Sequence, residues 1–409
     1  MANLDTYLSP LDDATPRMTE RTTLWSAINS GTNNLPGIEQ LAAAIIPEFT
    51  KLGMNHTILP AAPVEALNDE GEIVPVPCGP VHHLCLRPEA EKRIMLVGHL
   101  DTVFPADHPF QKVEKRKDGT LHGPGCADMK GGVCVILESL GTFEQSPFAQ
   151  NVGIDVVLNS DEETGSYASA AHLETIARKA DAGFVFEPAL PDGTLAGARA
   201  GSGHYNFVIR GKSAHAGRSF HDGRNALIGA ARLMTAINAL NGKRDNTTLN
   251  IGIIHGGQAT NVVPDLCVIR MNIRGLTKDD LLWADAAIRD VVVSGNFGPD
   301  ISVELHGGIH RPVKQMTGGT EQLFHLVRNA GSTLGMAIEW KATGGCCDGN
   351  NLAAAGLPNV DTMGVRGAFI HSPDEYMVIE SFVERARLAT MSMLLLASDE
   401  LPWPDRMPV

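Results

Sequence analysis

No run of about 18 or more apolar residues occurs in the 409-residue chain, which excludes a membrane-spanning helix. Basic residues are outnumbered: 33 Lys and Arg face 47 Asp and Glu, a formal net charge of −14. A chain of that sign lacks the cationic face that a phosphate backbone requires, so nucleic acid is excluded as a main partner; local Arg pockets for an anionic substrate are not. Paired cysteine spacing is missing as well. The seven cysteines (78, 85, 126, 134, 267, 346 and 347) are odd in number and form no CxxC pair. A reducing, cytoplasmic compartment follows as the expectation. Residues 1–7 have no basic segment leading into an apolar core and do not read as a secretory signal. Internal repeats and low-complexity linkers are absent too.

What remains is an ordinary globular balance, 43% apolar and 20% charged, in a chain too long for one core. Between 93 and 190 apolar strands alternate with helical stretches. Strands end near Val97, Asn159 and Phe186, and helices are expected over 132–143 and 166–179. A helix over 37–52 carries Ile38, Leu41, Ile45, Ile46 and Phe49 at helical spacing, and Pro47 is expected to kink or split it. From about 200 the pattern changes to four strands with two helices, 225–240 and 278–293, among them. After Pro312 helix and strand resume. The fold class read from this is α/β: a mixed-sheet catalytic unit with helices on both faces, formed by 1–199 and 313–409, interrupted by an inserted α+β unit at 200–312.

The chemistry gathers at strand ends. Arg93-Ile94-Met95-Leu96-Val97 runs into His99 and Asp101, which alternate onto one face of an extended chain. Asp128 sits among glycines before an apolar run. Val156-Val157-Leu158-Asn159 runs into Asp161-Glu162-Glu163. Strands whose carboxyl ends carry His, Asp and Glu describe an open α/β sheet with a site at that edge, and imidazole with carboxylate is a zinc-like ligand set. His82 and His83, adjacent on a strand, point to opposite faces and cannot share an ion. Cys346-Cys347 reads as two small residues in a tight loop.

Five motifs, His99-Leu100-Asp101-Thr102-Val103, Gly125-Cys126-Ala127-Asp128-Met129-Lys130-Gly131-Gly132, Asp161-Glu162-Glu163-Thr164-Gly165, Phe186-Glu187-Pro188 and the late His371, resemble the co-catalytic dizinc peptidase family. That family includes glutamate carboxypeptidase, aminoacylase, acetylornithine deacetylase and succinyl-diaminopimelate desuccinylase, and the glutamate carboxypeptidase branch is the most similar. The resemblance implies two Zn2+ ions, with Co2+ or Mn2+ as substitutes. Asp128 would bridge them, His99 and Glu187 would complete one ion's shell, and Glu163 and His371 the other's. A metal-bridging hydroxide would attack the substrate. Glu162 would be the general base, and Asp101 would fix the tautomer of His99. A cis peptide is implied at Asp128-Met129.

In the inserted unit, Gly211-Lys212-Ser213-Ala214-His215-Ala216-Gly217 resembles the family's lid segment, whose His reaches the partner subunit's site. His215 is thereby the candidate oxyanion stabiliser, and a homodimer through the inserted unit is implied. Asn261 and Arg274 match further substrate-side positions, Arg311 an Arg that grips the substrate's carboxylate, and Gly345 lies in the late Gly-rich loop. Where that branch has Gly-Thr in the loop, this chain has Cys346-Cys347. The implied activity is metal-dependent cleavage of an amide in a peptidyl or N-acyl amino acid with a free carboxylate. An N-acyl amino acid deacylase or desuccinylase is the alternative. A non-catalytic metal-binding homologue is the alternative from another class; it would have lost a ligand or the base, and this chain has lost neither.

Overall fold

The computed structural model describes residues 4–316 and 318–406. The first and last three residues of the expected catalytic unit lie outside the described residues. A six-stranded mixed sheet runs in the order Asn55–Leu59, Val81–Leu86, Val152–Asn159, Lys92–His99, Ala182–Val185 and Asn359–Val360. The first two strands are antiparallel to their neighbours; from Val152–Asn159 onward pairing is parallel. Alternation splits the Lys92–His99 strand between two cores. Ile94 and Leu96 face the helices Thr15–Ser26, Leu35–Thr50, Gly131–Phe143, Gly319–Thr333 and Ser381–Ala397. Met95 and Val97 face Ala170–Ala177 and Asp348–Ala354. A strand buried on both sides has no polar face to spare, and every residue of Val152–Asn159 is buried.

Pro47 does not split its helix, which is continuous over Leu35–Thr50. The proline falls in the last turn, where Lys51 N–H still donates to the Pro47 carbonyl at 3.1 Å, so few turns remain to be disturbed. The helix expected over 166–179 begins only at Ala170. Glu162–Thr164 form a single 3-10 turn, and Gly165 and Ser166 take positive φ of 110° and 58°.

Beyond the central sheet a short strand, Leu195–Arg199, pairs in parallel with Trp340–Thr343, and from Arg199 the chain departs to return at Lys314. These two residues are backbone neighbours, Arg199 N–H to Lys314 O at 2.9 Å and the reverse at 3.1 Å. Between them lies an antiparallel sheet in the order Thr247–Gly256, Leu266–Gly275, Gly201–Arg210, Ser302–Arg311. Helices Ala226–Asn238 and Lys278–Ser294 cover one face around Tyr205, Phe207, Ile209, Ile269 and Leu233. A hairpin from the other part of the chain, Val64–Leu67 paired with Ile73–Val76, reaches the uncovered face. Leu67 packs there with Val208 and Val268, Arg270 pairs with Asp69 at 2.7 Å, and Arg210 donates to the Gly71 carbonyl at 2.9 Å. Among the described residues no helix is long and apolar enough to cross a membrane.

Candidate active site

The carboxyl ends of the parallel strands bring His99, Asp128, Glu163, Glu187 and His371 together. Asp128 lies on a turn entered through Gly125, whose φ of +70° suits glycine. Gly132 follows, where a Cβ would sit 2.0 Å from the Phe186 carbonyl; the close approach of the Asp128 turn to the Glu187 strand end depends on it. The Asp128–Met129 peptide is cis, as the resemblance implies.

Asp128 presents one carboxylate oxygen to each histidine: Oδ1 lies 3.1 Å from His99 Nε2, and Oδ2 lies 3.2 Å from His371 Nε2. His371 Nε2 is also 3.1 Å from Glu163 Oε2, and His99 Nε2 is 3.8 Å from Glu187 Oε1. Two ligand groups result, His99–Asp128–Glu187 and Asp128–Glu163–His371, each with its donor atoms within 4.8 Å of one another. His371 has a positive φ of 63°. A non-glycine residue held there by its surroundings is a frequent mark of functional sites.

The electrostatics ask for cations. Burial, then the charge of Asp128, pushes the Glu163 carboxyl up to about 8. Burial, with Asp128 and Glu162 next, drives Glu187 well above the carboxylate range. Burial opposes the ionisation of Asp128 too, but its hydrogen bonds with His371 and His99 outweigh it and hold the carboxyl below its usual range. Hydrogen bonds to Asp128 and Glu163 raise His371 to about 11. Glu187 Oε1 is buried with no hydrogen-bond partner among the described residues. An unpartnered buried carboxylate oxygen is costly. Three carboxylates and two imidazoles that share the bridging Asp128 fit a pair of dications. A third group, His83, Cys85 and Asp155, does not: Arg93 already supplies its cation, 2.7 Å from Asp155 Oδ2 and 3.2 Å from Cys85 Sγ.

Asp101 is fully buried. Its carboxylate accepts the Thr32 hydroxyl at 2.7 Å and the backbone N–H groups of Glu162 and Glu163 at 3.2 and 3.1 Å. His99 Nδ1 is 3.0 Å from the Asp101 main-chain carbonyl and 3.4 Å from its carboxylate. One residue therefore orients both the histidine and the pair of glutamates.

Arg311, expected to grip the substrate's carboxylate, is held by the chain's own groups. It is 2% exposed. Its Nη1 is 2.7 Å from Glu162 Oε1, and Nη2 donates to the Glu162 carbonyl at 2.9 Å and to Ser166 Oγ at 2.8 Å. The strand Ser302–Arg311 carries it at its last position. Arg274 donates to Asn272 Oδ1 at 3.0 Å and to Cys346 Sγ at 2.8 Å, so it braces the loop that holds Gly345. Gly345 itself is exposed, its N–H donating to Thr343 Oγ1 at 3.3 Å. His215 and Asn261 are not among the residues gathered at the ligand cluster. They share an exposed ribbon, in which His215 is paired with Val262 and the Asn261 carbonyl accepts the Ala216 N–H at 2.9 Å. Beside Tyr167 and Thr164, a cavity of about 750 Å³ opens between the hairpin and the polar face of the four-stranded sheet.

Two groups escape a sequence reading. Glu375 accepts the N–H groups of Gly125, Ala127 and Asp128 at 3.1, 2.9 and 3.1 Å and so shapes the Asp128 turn. Only its position four residues after His371 hints at a part in the site. Asp361 holds Arg199 and Lys314 at 2.8 Å each, a meeting that no local pattern announces.

Residues 95–394 match the description of peptidase family M20/M25/M40. Carboxypeptidase G2 of Pseudomonas sp. (strain RS-16) is 30% identical over 319 residues, 75% of this chain and 74% of that one. Succinyl-diaminopimelate desuccinylase of Nitrosospira multiformis is 26% identical over 348 residues, 80% of this chain and 89% of that one. A tripeptidase structure from Staphylococcus aureus shares the fold with a TM-score of 0.73 at 24% identity, covering 94% of this chain and 99% of that chain. With its strand-end cluster and a family match that spans most of its length, the chain belongs to peptidase family M20/M25/M40 and is a metal-dependent hydrolase.

Proposed function

We propose that this hydrolase cleaves the amide of a peptidyl or N-acyl amino acid that bears a free carboxylate, in the manner of a glutamate carboxypeptidase. The observation that carries the reading is Asp128, whose two oxygens face two different histidines at 3.1 and 3.2 Å, each histidine flanked by its own glutamate. His99, Asp128 and Glu187 would hold one zinc ion; Asp128, Glu163 and His371 would hold the other. When bound, two such ions acidify water and polarise a carbonyl.

The rest of the mechanism falls to the chain's own side chains. Glu162 takes the proton of the attacking water and delivers it to the leaving nitrogen. One of its oxygens is fixed by Arg311, which leaves the other for proton transfer. Asp101 keeps Glu162 and Glu163 in place through their backbone. His215 stabilises the oxyanion from the second subunit of a homodimer joined through the four-stranded layer. The exposed Ile228, Ile253, Ile254 and Val262 on that layer support such an interface. Asn261 lies beside His215 and serves the same substrate end. The seven free thiols suit a cytoplasmic setting. A deacylase acting on N-acyl amino acids is the second reading, favoured by the coverage of the desuccinylase relative.

The test is a hydrolysis screen of zinc-loaded protein on N-acyl and peptidyl amino acids, with Glu162→Gln beside it. Release of a free amino acid by the wild type, reduced about 10³-fold in the variant, is expected. Undiminished turnover by Glu162→Gln would end the proposal.

A further inference from the structure

The hairpin of Val64–Leu67 and Ile73–Val76 stands across from the face of the four-stranded sheet that the helices leave bare, and its tip is fastened there. Asp69 pairs with Arg270 at 2.7 Å and with His255 at 3.3 Å, and Arg270 also donates to the Leu67 carbonyl at 2.9 Å. Gly71 has a φ of +71°, and a Cβ on it would come within 2.7 Å of the Val208 side chain, so the turn lies directly on the sheet. Held at its tip, the hairpin leaves the cavity of about 750 Å³ between its body and the sheet.

This cavity reaches the ligand cluster. A second space, of about 490 Å³, is lined by Glu163, Thr102 and the loop 31–34, and the two spaces share Thr32, Asn33 and Thr164 as lining residues. Thr32 is fixed by its hydroxyl, which donates to Asp101 at 2.7 Å. A chain of atoms that starts at the cluster beside Glu163 has a course past those three residues and under the hairpin.

The lining decides what fits. Strand register sets His204, Asn272 and Asn250 side by side across three strands, and Asn206 beside Arg270 in the next row of the same face. Asn272 is already used: its amide donates to the Ser202 hydroxyl at 2.9 Å and to the Gly203 carbonyl at 3.1 Å, and its Oδ1 accepts from Arg274. The Asn206 and Asn250 side chains have no hydrogen-bond partner among the described residues, so each offers the cavity a donor and an acceptor. The one guanidinium in the lining, Arg270, is committed to Asp69. Glu65, on the hairpin, brings a carboxylate with no ion-pair partner among the described residues. A carboxylate at the end of a bound arm would meet a like charge and no free guanidinium or ammonium, whereas peptide amides would find both kinds of partner. The volume also far exceeds an acetyl or succinyl group.

We propose that the 64–76 hairpin walls a subsite for the acyl arm of the substrate, in which Asn206 and Asn250 bind the amides of an arm two or more residues long, so that the enzyme acts on oligopeptides in preference to N-acetyl or N-succinyl amino acids. The inference rests on the amide-hydrolase reading above and decides between its two branches.

The test holds the leaving amino acid constant, as L-glutamate and then as L-leucine, and varies the arm: N-acetyl, N-succinyl and N-acetyl-L-alanyl-L-alanyl. Release of the leaving amino acid by zinc-loaded protein is followed at steady state. Wild type is expected to favour the long arm over both short ones by about 10-fold or more in kcat/KM, the effect of two ordinary hydrogen bonds. The double variant Asn206→Leu with Asn250→Leu should lower the ratio of long-arm to acetyl kcat/KM about 10-fold. Ala66→Trp, which fills the cavity from the hairpin side, should lower the same ratio through KM. A wild type that does not favour the long arm, or a ratio unmoved in either variant, would overturn the proposal. If wild type hydrolyses nothing, the amide-hydrolase reading fails, and calorimetric titration of the zinc-loaded protein with the same compounds still decides this one. Tighter binding of the long arm, weakened in both variants, upholds it; equal or absent binding across the three arms refutes it.

Discussion

The two sheets of this molecule use burial in opposite ways. In the central sheet both faces are covered, and the candidate metal ligands gather at the carboxyl ends of its parallel strands. In the four-stranded sheet one face is covered and the other alternates polar and apolar residues above a cavity, while its outer strand Thr247–Gly256 is largely exposed. The first arrangement makes a rigid platform, on which a sub-ångström error would misplace a ligand. The second leaves an open surface, the one to which the proposed dimer contact is assigned. Chemistry should therefore be lost by changes in the first sheet's edge, and assembly by changes in the second.

The largest effect should come from Asp128→Asn. It removes the one carboxylate shared by both ligand groups, and about a 10⁴-fold loss of kcat/KM with loss of bound zinc by elemental analysis is expected. His215→Ala should cost about 10²-fold to 10³-fold, mostly in kcat. Mixing it with Glu162→Gln sharpens the comparison. If the ribbon of one copy serves the edge of another, mixed dimers regain one intact site, roughly a quarter of wild-type activity in an equal mixture. No recovery would confine both residues to one chain.

Stability should divide the sheets as well. Leu96→Ala, in the doubly covered strand, is expected to cost about 2–5 kcal/mol in denaturant unfolding. A pH series tests the same sheet's outer strands, where burial and then His56 lower His82 to about 4. His82 is neutral in the fold, so between its ordinary value and 4 the unfolded chain binds more protons, and stability falls as pH falls. About 2 kcal/mol should be lost by pH 5, and His82→Gln should flatten that slope. The smallest effect is Ile253→Ser on the exposed outer strand: within about 0.5 kcal/mol for the fold, yet a shift toward monomer in sedimentation.

Much of the strand-end cluster was legible because each of its motifs is local. His99, Asp128, Glu163 and Glu187 each terminate or follow an apolar strand or a glycine turn, and the helices around them announce themselves by period. The partnerships were not legible. Glu375 lies 250 residues from Gly125, whose N–H it accepts, and Arg311 lies 149 from Glu162. No periodicity records such distances. The landing of the 64–76 hairpin on the far sheet was not legible either.

The pairing of Arg199 with Lys314 also bears on how such a chain can be rearranged. Everything between them departs and returns through two adjacent backbones, so the four-stranded layer is joined covalently to the rest at a single doorway. A gene shortened to join those neighbours by a tight turn would ask for almost no rebuilding around the doorway. A different module with closely spaced ends could be spliced in its place. The strand-end platform would then act as a portable chassis, and its choice of guests would change with whatever is hung there.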